Sequence, residues 1–174
     1  MKLKALKASD IKNKVVFLRL DLDVDFENGK MEDFRLVQTL GTVEFCLKSC
    51  SKLLIAGHLG RPNEVQNKLS LEPIVLWFAQ KLGKIALKSN RGRFPGWEIG
   101  ERVFLFENLR FFKEEEKNDK EFAKDLAKLA EIYVNDAFAD SHRNHASIAA
   151  IAKLLPHFAG LHLQKEVSEL SKVI

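Results

Sequence analysis

The chain lacks the features that commit a sequence to a specialised class. Cysteine occurs only twice in 174 residues, at Cys46 and Cys50, too few for the disulfide framework of a small secreted domain. The two thiols stand four residues apart in a segment of helical periodicity, so they share one helix face. Free thiols so placed behave as small buried hydrophobes, and this usage predicts a reducing, cytoplasmic setting. No apolar run approaches the roughly 20 residues that span a bilayer, and Met1 to Asp10 holds no apolar signal core. Charge of one sign is scarce: 28 Lys and Arg against 24 Asp and Glu leave +4. That balance asks for neither nucleic acid nor a membrane surface, but it suits a small anion if the charge is focused in a cleft. Repeats and low-complexity tracts are missing. So are a P-loop of the form GxxxxGKS or GxxxxGKT and a GxGxxG turn after a strand, which removes a dinucleotide-binding reading.

Hydrophobic residues make up 46% of the chain and charged residues 30%, enough apolar material for the core of one domain. Apolar runs alternate with amphipathic stretches. Val15–Leu20 (VVFLRL), Leu53–Gly57, Val103–Phe106 and Ile132–Val134 read as strands, with further strands over Lys84–Lys88 and Phe158–Leu163. Leu36, Leu40, Val43 and Leu47 recur at helical spacing, as do Leu71, Ile74, Val75, Phe78 and Leu82 before a capping Gly83. Helices also follow from Phe122, Leu126 and Leu129, from Ile148 to Leu155, stopped by Pro156, and from Gln164 to Val173. Asn28-Gly29 marks a turn, and Arg91–Gly100, with Gly92, Pro95 and Gly96, reads as a loop. The acidic run Glu114–Glu116 reads as a solvated helix entry. This alternation predicts an α/β domain of three layers, Rossmann-like, with a mainly parallel sheet covered by helices on both faces.

Parallel sheets bind ligands beyond the carboxyl ends of their strands. There the sequence places Asp21-Leu22-Asp23, His58-Leu59-Gly60-Arg61-Pro62, Glu107-Asn108-Leu109-Arg110, and Asn135-Asp136 followed by Ser141-His142-Arg143-Asn144-His145. Arg35 stands at the start of the first long helix. Arg35, Arg61, Arg110 and Arg143 converging with His58 would grip a multiply charged anion, because the planar guanidinium fork binds carboxylate or phosphate oxygens in pairs. His142 and His145 have no further Cys or His at a familiar zinc spacing, so no metal site is expected.

These segments, in order, resemble the phosphoglycerate kinase family. RLDLDV from Arg19 to Val24 resembles the family's RVDFNV, and GHLGRP from Gly57 to Pro62 its SHLGRP. ENLRF at Glu107–Phe111 resembles ENVRF, EEKND at Glu115–Asp119 is similar to a family segment, YVNDAF at Tyr133–Phe138 is identical, and SHRNHAS at Ser141–Ser147 resembles AHRAHAS. The resemblance implies that residues 1–163 form the N-terminal domain, which binds 3-phosphoglycerate or 1,3-bisphosphoglycerate. It implies that Asp21 and Asp23 meet the carboxylate and hydroxyl end of the substrate. Arg35, His58, Arg61, Arg110 and Arg143 would form the basic patch, with Arg35 stabilising the transferring phosphoryl group as the catalytic residue.

Residues 164–174 resemble the start of the helix that enters the interdomain hinge, where the family continues into a C-terminal domain for MgATP or MgADP. The resemblance therefore implies a monomeric glycolytic kinase of which this chain is the substrate-binding half. That half holds no nucleotide or metal itself and is inactive without the other. The alternative is a stand-alone, non-catalytic phosphoglycerate-binding or scaffold domain. Four departures from the family pattern bear on affinity more than on substrate class: Asp23 for Asn, Asp25 for Pro, Phe34 for Thr, and Ala139-Asp140 for Gly-Thr.

Overall fold

The computed structural model describes residues 4–172. Helix α1 (Ala8–Ile11) leads into β1 (Val15–Arg19). A small hairpin, β2 (Phe26–Glu27) and β3 (Lys30–Met31), turns at Asn28-Gly29. There follow α2 (Phe34–Leu47), β4 (Lys52–Ala56), α3 (Glu72–Leu82), β5 (Ala86–Arg91), β6 (Phe94–Ile99) and β7 (Val103–Phe106). The chain continues through α4 (Lys113–Glu116), α5 (Lys120–Ala127) and β8 (Ile132–Asn135). A wide helical turn at Ala146–Ala150 then tightens over Ile151–Lys153 and leads into β9 (His157–Ala159) and α6 (Leu161–Leu170). Among these residues no helix is long and apolar enough to cross a membrane.

Seven strands form one sheet in the order β5-β6-β7-β4-β1-β8-β9. The five from β7 to β9 are parallel, while β5 and β6 add an antiparallel edge. The expected three-layer α/β architecture is what forms. Its cause is the period-2 alternation of side chains in strands whose two faces are both covered. Val16, Leu18, Leu53, Ile55, Val103, Leu105, Ile132 and Val134 enter the core shared with α2 and α3. Their neighbours Phe17, Leu54, Phe104, Phe106 and Tyr133 enter the opposite core, packed by Phe122 and Leu126 of α5 and by Ala146, Ala150 and Ile151. Cys46 and Cys50 are buried free thiols in the first of these cores.

Three sequence expectations need correction. Residues 91–100 are not a loop but the turn and second strand of a hairpin. Gly92 takes the positive φ of the turn, and Trp97 and Ile99 of β6 are buried. Gly96 is a packing residue: a Cβ there would lie 2.3 Å from the Leu105 carbonyl oxygen and 2.7 Å from the Phe104 ring. Glycine is required by the close approach of two strands, not by a turn. The final strand stops at Ala159, and the helix expected from Gln164 starts at Leu161; Val173 lies outside the described residues. Glu115, within the supposedly solvated acidic run, is 1% exposed.

The early start of α6 has a cause in the carboxyl end of β8. Gly160 supplies no side-chain cap, and Asp136 takes that role from the neighbouring strand: its Oδ1 accepts the Leu163 N–H at 2.9 Å. A carboxylate at a helix N-terminus satisfies an orphan donor and complements the dipole. Burial nonetheless dominates and pushes the Asp136 carboxyl from 3.8 up to about 6. The folded chain thus holds this proton more tightly than the unfolded chain does. Asp136 therefore makes stability fall as pH rises from about 4 to about 6, by on the order of 2–3 kcal/mol, and contributes no slope above that. Asp136→Asn keeps the acceptor and is expected to remove this slope, read by urea denaturation at pH 4.5 and 7; an unchanged slope refutes the assignment.

Candidate functional site

The carboxyl ends of β1, β4, β7 and β8 lie side by side, and the segments leaving them meet around Arg19. This residue is the last of β1 and is 1% exposed. Its Nε donates to the Ser147 hydroxyl at 3.1 Å and its Nη2 meets His58 Nδ1 at 2.9 Å and Asp140 Oδ2 at 3.3 Å. Nη1 donates to the Leu20 carbonyl. Guanidinium can only donate, so His58 Nδ1 must accept. The ring proton of neutral His58 then sits on Nε2, which points to Asp23 Oδ2 at 3.6 Å. Burial lowers the His58 pKa, overriding the raising effect of Asp23. His58 is therefore a neutral, tautomer-fixed donor rather than one more cation.

Behind Arg19 lies Glu115. One of its oxygens accepts the Ser147 hydroxyl at 2.6 Å and the other the Ser147 N–H at 2.9 Å. Burial raises the Glu115 pKa against the pull of Arg19 and Ser147. A hydrogen-bonded chain thus runs from buried Glu115 through Ser147 and Arg19 to His58, and Asp23 Oδ2 lies 3.6 Å beyond, facing His58 Nε2. Asp23 Oδ1 also accepts the Gly60 N–H at 2.7 Å, and these donors hold its pKa at about 2. The Gly60 carbonyl in turn accepts from Arg110 Nη1 at 2.7 Å. Asn108 donates to the Leu59 and Leu69 carbonyls at 2.8 and 2.9 Å, fixing the same loop.

The residues expected from sequence occupy this edge in different states. Arg35, at the start of α2, is exposed and pairs with Asp21 Oδ2 at 2.8 Å. Arg110 is buried, with Nε 3.3 Å from Glu116. The half-buried Arg143 donates from Nε to Asp140 Oδ1 at 2.9 Å. Arg61 follows Gly60, is exposed, and makes no ion pair among the described residues. His142 is exposed, and the pKa of His145 is lowered to about 4 by burial and by the charge of Arg110. Arg19, Glu115 and Ser147 were not singled out by sequence reasoning. The available signal was a charged residue inside the apolar run VVFLRL.

The fold and this edge define an α/β domain of the Rossmann-like class with an arginine-rich rim at the ends of its parallel strands. The family model for phosphoglycerate kinase matches residues 6–174, and the chain belongs to that family. It is 41% identical to the phosphoglycerate kinase of Dictyoglomus turgidum over 176 residues, covering 97% of this chain and 44% of the relative. It is 39% identical to that of Wolbachia pipientis over 187 residues, covering 100% and 46%. The phosphoglycerate kinase structure from Coxiella burnetii superposes with a TM-score of 0.88 at 35% identity, covering 99% of this chain and 45% of that one. The structure from Pyrococcus horikoshii gives 0.78 at 29%, covering 98% and 45%. The chain thus spans a little under half the length of the relatives it matches.

The chain of buried groups has a measurable consequence. Ser147→Ala removes the hydroxyl that accepts from Arg19 and donates to Glu115, leaving both buried charges short of a partner. A loss of about 1–3 kcal/mol in unfolding free energy is expected, the usual penalty for unsatisfied buried polar groups. Chemical denaturation of the two proteins measures it, and a variant as stable as the parent contradicts the arrangement.

Proposed function

We propose that this chain is the acceptor-binding, N-terminal half of a phosphoglycerate kinase, and that its arginine-rich rim holds 3-phosphoglycerate or 1,3-bisphosphoglycerate. One observation carries the reading: Arg35, Arg110 and Arg143 stand with His58 at the carboxyl ends of four parallel strands, in a chain of this family. Residues 1–163 form the substrate domain and residues 164–174 begin the helix toward the hinge. Arg61 and Arg35, exposed on flexible stems, close on the anion. Arg143, which donates from Nε to Asp140, and Arg110, which donates from Nη1 to the Gly60 carbonyl, present their remaining N–H groups in fixed directions. Neutral His58 donates from Nε2, and Asp21 receives the substrate hydroxyl while it orients Arg35. In phosphoryl transfer the protein supplies position and charge stabilisation, and Arg35 is the arginine that meets the transferring group. MgATP or MgADP binds to the other half of the enzyme, so no step of nucleotide chemistry is assigned to residues of this chain. The protein acts as a cytoplasmic monomer.

Two measurements test this. Calorimetric titration with 3-phosphoglycerate is expected to show binding that weakens by roughly 1.5–3 kcal/mol in Arg61→Ala and in Arg143→Ala, the worth of a charge-assisted hydrogen bond. Equal affinity in both variants removes the site assignment. A coupled kinase assay on the 174-residue chain is expected to show no ATP-dependent turnover. Turnover that copurifies with the chain and vanishes in Arg35→Ala overturns the half-enzyme reading and leaves the ligand assignment standing.

A further inference from the structure

The arginine-rich rim carries its own counter-ions. Of Arg19, Arg35, Arg61, Arg110 and Arg143, all but Arg61 have a carboxylate partner, supplied by Asp140, Asp21 and Glu116. Two acids close on a single histidine. Asp140 Oδ2 lies 3.4 Å from His58 Nδ1, and Asp23 Oδ2 lies 3.6 Å from His58 Nε2. These are two of the positions at which the sequence departs from the family pattern, Asp for Asn and Asp for Thr. The fold brings both departures to opposite nitrogens of one ring.

We propose that Asp23 and Asp140 are specificity-determining residues that charge-balance the rim, favouring phosphate esters of lower total charge and disfavouring the fully ionised phospho-carboxylate. The two act differently. Asp140 is 4% exposed; it cannot meet a ligand, and it acts by gripping Arg143 and Arg19 and by its field. The Asp23 side chain is 42% exposed, so it borders the ligand space directly. Its carboxylate is fully ionised at neutral pH and can only accept hydrogen bonds. A ligand hydroxyl meets it well, whereas a ligand carboxylate or phosphate beside it is repelled. At contact distance one like charge weakens binding by about fivefold even with the screening of bulk water, and by more in a partly buried site.

The inference rests on the rim being the phosphoglycerate site, and the test separates the two claims. The chain and its D23N and D140N variants are titrated with 3-phosphoglycerate and, as the lower-charge comparator, glycerol 3-phosphate. D23N is expected to tighten 3-phosphoglycerate by about fivefold or more and to change glycerol 3-phosphate by less than half as much, so that the affinity ratio moves. D140N is expected to move the ratio the same way. Should D140N prove unfolded by thermal melting, D23N alone decides. An unchanged ratio, or both ligands weakened together, overturns the proposal. If the parent binds 3-phosphoglycerate and loses it in R143A while D23N leaves the ratio alone, the proposal falls and the site reading stands. If neither anion binds to any of the proteins, both fall.

Discussion

The burial of Arg19 is the constraint on which the carboxyl edge of the sheet depends. A guanidinium cannot shed its charge, and a charge removed from water is costly unless it is paired and hydrogen-bonded. Every group that meets this requirement comes from a different part of the chain: Leu20 from its own strand end, His58 from beyond β4, Asp140 from beyond β8, and Ser147 from the wide turn after it. Ser147 is itself held by Glu115 from α4. The arginine can be buried only when all of these segments are in place together. Such a network is weak evidence for stability, since apolar replacements of similar volume often do as well. What it does here is fix orientation. It sets the His58 tautomer, and through His58 and Gly60 it holds Asp23 and the loop that Arg110 grips.

The strands were legible because both faces of the sheet are covered. Apart from Arg19, the runs VVFLR, LLIA, VFLF and IYV are apolar throughout, which is the mark of a buried parallel strand, and each sits where its composition places it. Of the β5–β6 hairpin, the first strand was expected over Lys84–Lys88 and forms at Ala86–Arg91, but the second was not legible. Its Gly and Pro have the composition of a turn, and Gly96 is there because Leu105 and Phe104 come too close for a side chain, a long-range fact that local composition does not carry. The start of α6 was obscured in the same way, since its cap comes from Asp136, twenty-seven residues upstream. At the site, the residue types and their place at the strand ends were legible. The pairing that decides which of them are charged, neutral or already occupied was not. Glu115 is the sharpest case: flanked by two other glutamates, it looks solvated, and only the approach of Ser147 shows why it turns inward.

That pairing changes how the rim must be understood. A row of arginines counted from sequence suggests a strongly positive cleft, yet the folded rim is nearly balanced. Arginines left without counter-charge would repel one another in the empty domain, and the carboxylates relieve this before any ligand arrives. The relief also sets geometry, because Asp140 accepts from Nε of Arg143 and the Gly60 carbonyl accepts from Nη1 of Arg110, so neither guanidinium is free to swing.

The result is a division between groups fixed before binding and groups free to move. His58, Arg19 and Arg110 are buried and tied to backbone or buried partners, so little entropy remains for them to lose when an anion arrives. Arg35 and Arg61 are exposed; the first is held by one surface ion pair and the second by none among the described residues. An exposed pair of that kind contributes little and exchanges readily, so Arg35 can leave Asp21 at small cost. Fixed groups provide the recognition that preorganisation makes tight, and mobile ones can follow charge as it develops. On the proposed function, in which a second domain brings the other substrate, both properties have a use. In that reading the fixed floor would stand ready before the domains approach, and Arg35 would remain movable until they do.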